Sequence, residues 1–352
     1  MKKGTHGRVK MNDLSADNKM KKAAMIIAAA LVAVSTFAQE KRWAVVELST
    51  VYMRIQPDYE SALETQELMG TVVEIVGEKG YWREIVSPQP YKAWATEKGL
   101  IEMTTTEIEA YRLAPKVIFT DLYGHVYSQP HLKSQTICDL VGGDILRLSQ
   151  ASGKVKKAGW TQVMLPSGKT GWVPSGSITT HKGFRSIAKG QGDAGSISEK
   201  ETEKIIAQAL KLVGVPYLWG GMSAKGVDCS GLVRISHLMN GILLPRNASQ
   251  QIHCGDRVGM PIDKTFWNDR SNTEAFKAEM AGRISGLKRG DLVFFGTPAM
   301  EEGQKDRVTH VGIYLGDGKI IHASHLVRIN SLIPGEPDYY ENAHRLLGAI
   351  RL

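Results

Sequence analysis

The segment "RVTHVGIYLGDGKIIHAS", residues 307–324, carries the strongest local pattern in the chain. Residues 307–315 alternate, "GDG" reads as a hairpin turn and 319–323 alternates back, which predicts two antiparallel strands. With Gly316, Asp317 and Gly318 as a three-residue loop, Gly312 faces His322. His310 then lies diagonally beside His322 on the same sheet face, within reach of an imidazole. A two-residue loop would put the two histidines on opposite faces, so everything depends on the register. The preceding "LKRGDLVFFG" (287–296) reads as a buried strand able to pack this hairpin.

Upstream, "VDCSGLVRISHLM" (227–239) sets a cysteine between an aspartate and a serine. Leu232, Val233 and Leu238 begin a helical pattern just beyond Cys229, after turns allowed by Gly220, Gly221 and Gly226. Cys229 can be a nucleophile, half of a disulfide or a small buried residue. A thiol at a helix start meets unpaired N–H groups and the positive end of the dipole, which favour a thiolate. A nucleophile also needs a base and an orienter, and His310 and His322 supply both types. Cys138, Cys229 and Cys254 cannot all pair. Cys138 sits in an alternating strand and suits apolar packing, while a Cys229–Cys254 disulfide would silence an enzyme. Zinc is not favoured, because Cys229, His310 and His322 lack short ligand spacing. No metal or other cofactor is expected.

The catalytic region begins near residue 199. In "SEKETEKIIAQALKLVGV", Ile205, Ile206, Ala209, Leu210 and Val213 fall at helical spacing behind a Ser198 cap. Residues 179–198, rich in Gly, Ser and charge, read as a linker. Before it, two segments resemble each other: "GYWREIVSPQPYKAWATEKGLI" (80–101) and "GWTQVMLPSGKTGWVPSGSI" (159–178). Each is preceded by further short strands and turns, which argues for two small antiparallel barrels. Trp82, Trp94, Trp160 and Trp172 are expected in their cores.

At 352 residues the chain has room for two or three domains, and an apolar share of 42% with 23% charged residues is globular. Lys21 and Lys22 precede the apolar run "AAMIIAAALVAVSTFA", too short to span a bilayer and ending in small residues, which predicts a signal peptide cleaved after Ala38. Residues 1–19 read as an upstream start. Residues 1–38 hold seven of the 44 Lys and Arg and two of the 36 Asp and Glu, so the net charge falls from +8 to +3 without them. The basic excess is therefore mostly targeting, and nucleic-acid binding loses its support. No membrane insertion is expected after signal cleavage, and the mature protein is expected in an exported compartment, the periplasm first.

"DCSGLV", "GDLVFF", "THVGIYLG" and "IHAS", in this order, resemble the NlpC-type family of papain-like cell-wall cysteine peptidases over about residues 199–352. The repeats at 43–104 and 115–178 resemble bacterial Src-homology-3-like modules, which sit beside such enzymes. The implied architecture is α+β: two Src-homology-3-like barrels, then a papain-like catalytic domain. By the same resemblance Cys229 is the nucleophile, His310 the general base and His322 its orienter. Substrate contacts are implied for Tyr217, Asp228 and Ser230, and in the first module for Glu60 or Glu64 and Tyr91. Asp228 has two readings, a cap for the Cys229 helix or a binder of a substrate ammonium group. Residues 252–286 look longer than is usual in the family.

The pairing of two modules with this domain is similar to the γ-D-glutamyl-L-diamino acid endopeptidases, or dipeptidyl-peptidases VI. That similarity implies hydrolysis of the γ-D-glutamyl to meso-diaminopimelate or L-lysine bond in wall-derived peptides with a free N-terminal L-alanine. The sequence does not determine the oligomeric state, and a monomer is the expectation. The rivals are a broader autolysin acting on intact wall and an inactive wall-binding protein.

Overall fold

Period-two alternation between residues 42 and 103 produces seven antiparallel strands: Arg42–Val46, Thr50–Arg54, Leu63–Leu68, Val72–Lys79, Trp82–Ser87, Tyr91–Thr96 and Leu100–Met103. Numbered in chain order, they lie side by side as 3-2-6-5-4-1-7. The next seven are Lys116–Phe119, Tyr123–Tyr127, Thr136–Val141, Ile145–Leu148, Trp160–Met164, Thr170–Pro174 and Ile178–His181. They repeat that order, with the short strand Lys156–Lys157 added beside Trp160–Met164. The sequence repeat is thus a repeat of topology. This computed structural model describes residues 1, 41–88, 91–149, 156–157, 159–186, 197–260, 262–267 and 273–352. The expected signal peptide lies outside the described residues.

Two expectations about these modules need correction. Neither strand path closes on itself among the described residues, so each is an open sheet wrapped around a small core rather than a closed barrel. Of the four tryptophans only Trp82 is buried. The first core is filled instead by small and branched side chains such as Ala44, Val46, Val73, Ile85 and Ala95. Trp94 and Trp172 occupy equivalent seams, where strands two and six meet at the single paired positions Arg54–Trp94 and Tyr127–Trp172. A bulky ring fits at a seam and overfills a core this small.

Between the modules runs the helix Thr105–Leu113, started by a capping box of Thr104 and Glu107. It buries Ile108 and Tyr111, and the Tyr111 hydroxyl donates to the Gly70 carbonyl at 3.2 Å.

The C-terminal region is mixed α and β. Ser198 and Glu201 form the capping box of the helix Glu199–Lys211, which buries Ile205, Ile206 and Ala209. Leu210 and Val213, expected on the same face, are exposed, and Leu212 is buried in their place. Six strands form one sheet in the order Asp256–Val258, Leu346–Arg351, Leu292–Thr297, Arg307–Gly316, Lys319–Ser324 and Leu326–Ser331. Against it packs the helix Cys229–Leu238, buried along its whole length. Leu232 and Val233 share one core with Phe294, Val311, Ile313 and Ile321. At roughly 1.5–3 kcal/mol for each such side chain, this contact is the main anchor of the helix.

The histidine hairpin keeps the expected register by an unexpected route. Ile313 pairs with Ile321 and Tyr314 with Ile320, so Gly312 stands opposite His322. The connection is the two-residue turn Asp317–Gly318, with positive φ at both positions, and Gly316 pairs with Lys319. An irregularity between Tyr314 and Gly316 accommodates Leu315 as one extra residue. That bulge restores the parity a two-residue turn would otherwise invert. No helix among the described residues is long and apolar enough to cross a membrane.

Candidate active site

Cys229 is the first residue of its helix, and Asp228 is the N-cap: its backbone is extended and its side chain accepts from the Gly231 N–H at 2.7 Å. Gly231 is required there, since a Cβ would lie 2.1 Å from the Gly221 carbonyl oxygen. The Asp228 carboxylate accepts five hydrogen bonds. Gly231 N, Ser230 Oγ and Arg246 Nη1 reach Oδ1 at 2.7, 3.1 and 3.0 Å, and Gly220 N and Arg246 Nη2 reach Oδ2 at 3.0 and 2.6 Å.

The thiol itself is buried. Burial, and then the Asp228 charge, push it up to about 12, against the opposing pull of the Val311 and Ser230 N–H groups and Arg246. The expectation of a thiolate favoured by the helix start is therefore reversed in this state. A helix terminus contributes about 0.3–2 kcal/mol, whereas removing an anion from water costs several. Burial wins.

His310 and His322 meet as the register requires, His310 Nε2 lying 2.8 Å from His322 Nδ1. His322 is fully buried and its Nε2 faces Asn330 Oδ1 at 2.9 Å. The Tyr340 ring covers both, with centroids 4.5 Å from His322 and 5.7 Å from His310. Burial lowers His322 to about 4, partly countered by the bond to Asn330. His310 is lowered by burial and then by His322 and Arg328. Burial thus favours the uncharged forms of the thiol and of both imidazoles.

A cavity of about 450 Å3 opens over the thiol, and its lining brings together Glu64, Tyr91, Tyr217, Asp228, Cys229 and Ser230. Glu64 and Tyr91 belong to the first sheet and are hydrogen-bonded to each other at 2.5 Å. Glu60, the alternative to Glu64, lies on an exposed turn with its N–H bonded to Asp58, outside that lining. Ser230 Oγ is engaged with Asp228 and Arg246.

Three participants escaped sequence reasoning. Arg246, in "LPRNASQQ", holds Asp228, and Asn330, in the strand Leu326–Ser331, holds His322. Arg307 lines the cavity from the strand that carries His310. Arg246 and Asn330 act through contacts with residues distant in the chain, which local pattern does not reveal. No cluster of three or more His, Cys, Asp or Glu suited to a metal occurs among the described residues.

A thiol at the start of a buried helix, a pair of linked imidazoles on the facing hairpin and a cavity over the thiol define a thiol peptidase. Residues 214–342 match the NlpC/P60 family. The chain is 28% identical to the γ-D-glutamyl-L-lysine dipeptidyl-peptidase of Bacillus cereus, over 79% of this chain and 73% of that one. It is 27% identical to dipeptidyl-peptidase 6 of Lysinibacillus sphaericus, over 84% and 93%. A crystal structure of an NlpC/P60 family protein from Bacillus cereus superposes with a TM-score of 0.63 at 24% identity, covering 88% of this chain and 99% of that one. The chain carries an NlpC/P60 cysteine peptidase domain, of a family that hydrolyses peptidoglycan.

Proposed function

We propose that the protein is an exported cysteine peptidase that hydrolyses the γ-D-glutamyl to L-diamino acid bond of peptidoglycan-derived peptides bearing a free N-terminal L-alanine. The observation that carries this reading is the wall of the Cys229 cavity contributed by another module. Glu64 offers a carboxylate, steadied by Tyr91, in the lining of the same cavity as the thiol, where a short peptide's ammonium group can meet it. Both relatives described above are named as dipeptidyl-peptidases, which supports the same substrate class. Export, to the periplasm first, rests on the pattern of residues 1–38.

In this mechanism Cys229 is the nucleophile. Its sulfur attacks the γ-carbonyl carbon as the thiol proton passes to His310, so a full thiolate never has to persist in the buried site. The oxyanion is held by the Cys229 N–H, with Tyr217 beside it. His310 gives the proton to the departing amine as the C–N bond breaks. Water then attacks the thioester while His310 takes its proton, and C–S cleavage restores the thiol. His322 orients His310. The chemistry needs no cofactor.

The test is incubation of the purified protein with L-Ala-γ-D-Glu-meso-diaminopimelate and with its N-acetylated form, products being identified by mass spectrometry. The free peptide should yield L-Ala-D-Glu, and the N-acetylated peptide should be cleaved only at a slow background rate. Cys229→Ala and His310→Ala should abolish turnover, and His322→Ala should leave a weak residue of it. Equal cleavage of both peptides, or of intact sacculi, would favour a broad autolysin instead.

A further inference from the structure

We propose that Asn330 is a positioning residue that fixes the tautomer of both histidines and thereby selects Nδ1 of His310 as the nitrogen that takes the Cys229 proton. This rests on the reading of His310 as general base.

The selection begins three groups away from the thiol. The Asp338 carbonyl accepts from the Ser331 backbone N–H at 2.9 Å and from Asn330 Nδ2 at 2.7 Å. The Tyr340 N–H closes the same loop on the Ser331 carbonyl at 2.8 Å, so the Asp338 oxygen is fixed by backbone. Turning the Asn330 amide over would set its oxygen against that carbonyl, two acceptors at hydrogen-bond distance. Its orientation is therefore determined, with Oδ1 toward His322 Nε2 at 2.9 Å.

An acceptor opposite Nε2 requires a proton on Nε2. Neutral His322 then presents a lone pair at Nδ1, and the His310 Nε2 that stands 2.8 Å away must carry its own proton. Only Nδ1 of His310 remains as a base. The opposite tautomers would face lone pair to carbonyl oxygen inside a buried site, disfavoured on the order of tenfold to a hundredfold. Arg328, cross-strand from His322, is the cation that lowers both rings, and Tyr340 is the phenol against them. Burial first, and then Arg328, favours the neutral form of both rings, the condition under which a tautomer can be selected.

Sulfur alkylation offers a readout independent of any peptide. Iodoacetamide forms an S–C bond at Cys229 and releases iodide as the thiol proton passes to His310, with Cys229→Ala marking the background from Cys138 and Cys254. The full chain should show both histidines as Nε2–H tautomers by 15N nuclear magnetic resonance. Asn330→Leu should slow Cys229 alkylation at neutral pH about tenfold or more and lower kcat in parallel with KM unchanged. Asn330→Asp keeps the acceptor toward His322 and, protonated on the oxygen that faces the Asp338 carbonyl, keeps that hydrogen bond too, so it should recover most of the rate that Asn330→Leu loses. A wild-type His310 protonated at Nδ1 would overturn the proposal even if the variants failed to fold. So would Leu and Asp variants with the same rate. If the expected tautomers and alkylation behaviour were found in a protein that cleaves no wall peptide, the proposed substrate would fall and the role of Asn330 would stand.

Discussion

Arg246 holds Asp228 through two hydrogen bonds, Nη2 to Oδ2 at 2.6 Å and Nη1 to Oδ1 at 3.0 Å, with both side chains buried. Through its Nε the same guanidinium reaches Thr65 Oγ1 at 2.7 Å, in the first sheet. One residue thus ties the cap of the nucleophile's helix to a module far away in sequence. Asp228 is a cap in this structure, and its five internal donors leave it little capacity for a substrate ammonium group, which is why Glu64 takes that part in the proposed function.

Removing the guanidinium should be costly. Arg246→Met leaves a buried carboxylate without its counter-ion, a change expected to lower stability by about 3–5 kcal/mol. Urea denaturation monitored by tryptophan fluorescence checks it. A loss below about 1 kcal/mol would mean that water replaces the arginine.

The charge of Glu64 is the next expectation. Glu64→Gln keeps the shape of the cavity wall and removes its anion, so kcat/KM for the free-amine tripeptide should fall on the order of tenfold to a hundredfold, the worth of a charge-assisted hydrogen bond. The slow background cleavage of the N-acetylated peptide should not change. An equal fall for both peptides would remove Glu64 from ammonium recognition.

How much of this was legible in the sequence depends on range. The helix that starts at Cys229, the Ser198 cap and the alternation of the histidine hairpin are local signals, and each produced the element expected. The Leu315 bulge was not visible, because one extra residue in a strand leaves no compositional trace. Asp228 next to the thiol could be seen, but Arg246 lies 18 residues on in a segment without periodicity. The helix start suggested a thiolate, while the burial that overrides it belongs to tertiary packing. Asn330 gained its role only when the chain after Ser331 folded back to offer the Asp338 carbonyl.

Histidine burial predicts acid sensitivity. His237 is buried, with its Nδ1 2.7 Å from the Val233 carbonyl oxygen, and burial lowers it to about 4. The folded value lies below the unfolded value of about 6.5, so this contribution to stability is present above pH 6.5 and is lost as pH falls toward 4. One group can change stability by about 1.4 kcal/mol per pH unit in that window, or about 3 kcal/mol across it. His237→Leu should remove that dependence. Chemical denaturation at pH 7 and pH 4 should show the variant gaining about 3 kcal/mol on the wild type between the two. The raised carboxyl groups of Glu67 and Asp144 act in the opposite direction in both proteins and cancel in this difference.

The first sheet should be needed for catalysis itself. Gln66 Oε1 accepts the Met222 N–H at 2.8 Å, beside the turn that leads to Asp228, and Thr65 accepts from Arg246. A second tie runs through Lys225, whose Nζ meets Asp139 at 2.6 Å and Ser49 at 2.9 Å, one from each module. Residues 199–352 alone would lose all of these partners, the cover over the Asp228–Arg246 pair and the Glu64 wall. The fragment should therefore be less stable and inactive on the soluble tripeptide, where wall anchoring plays no part. Gln66→Ala in the full chain separates the two causes: it removes one hydrogen bond, keeps Glu64 in place, and should lower kcat while the protein stays folded by circular dichroism. If the fragment cleaved the tripeptide at the full rate, the first sheet would be an anchor, and recognition of the free amine would have to come from the catalytic domain alone.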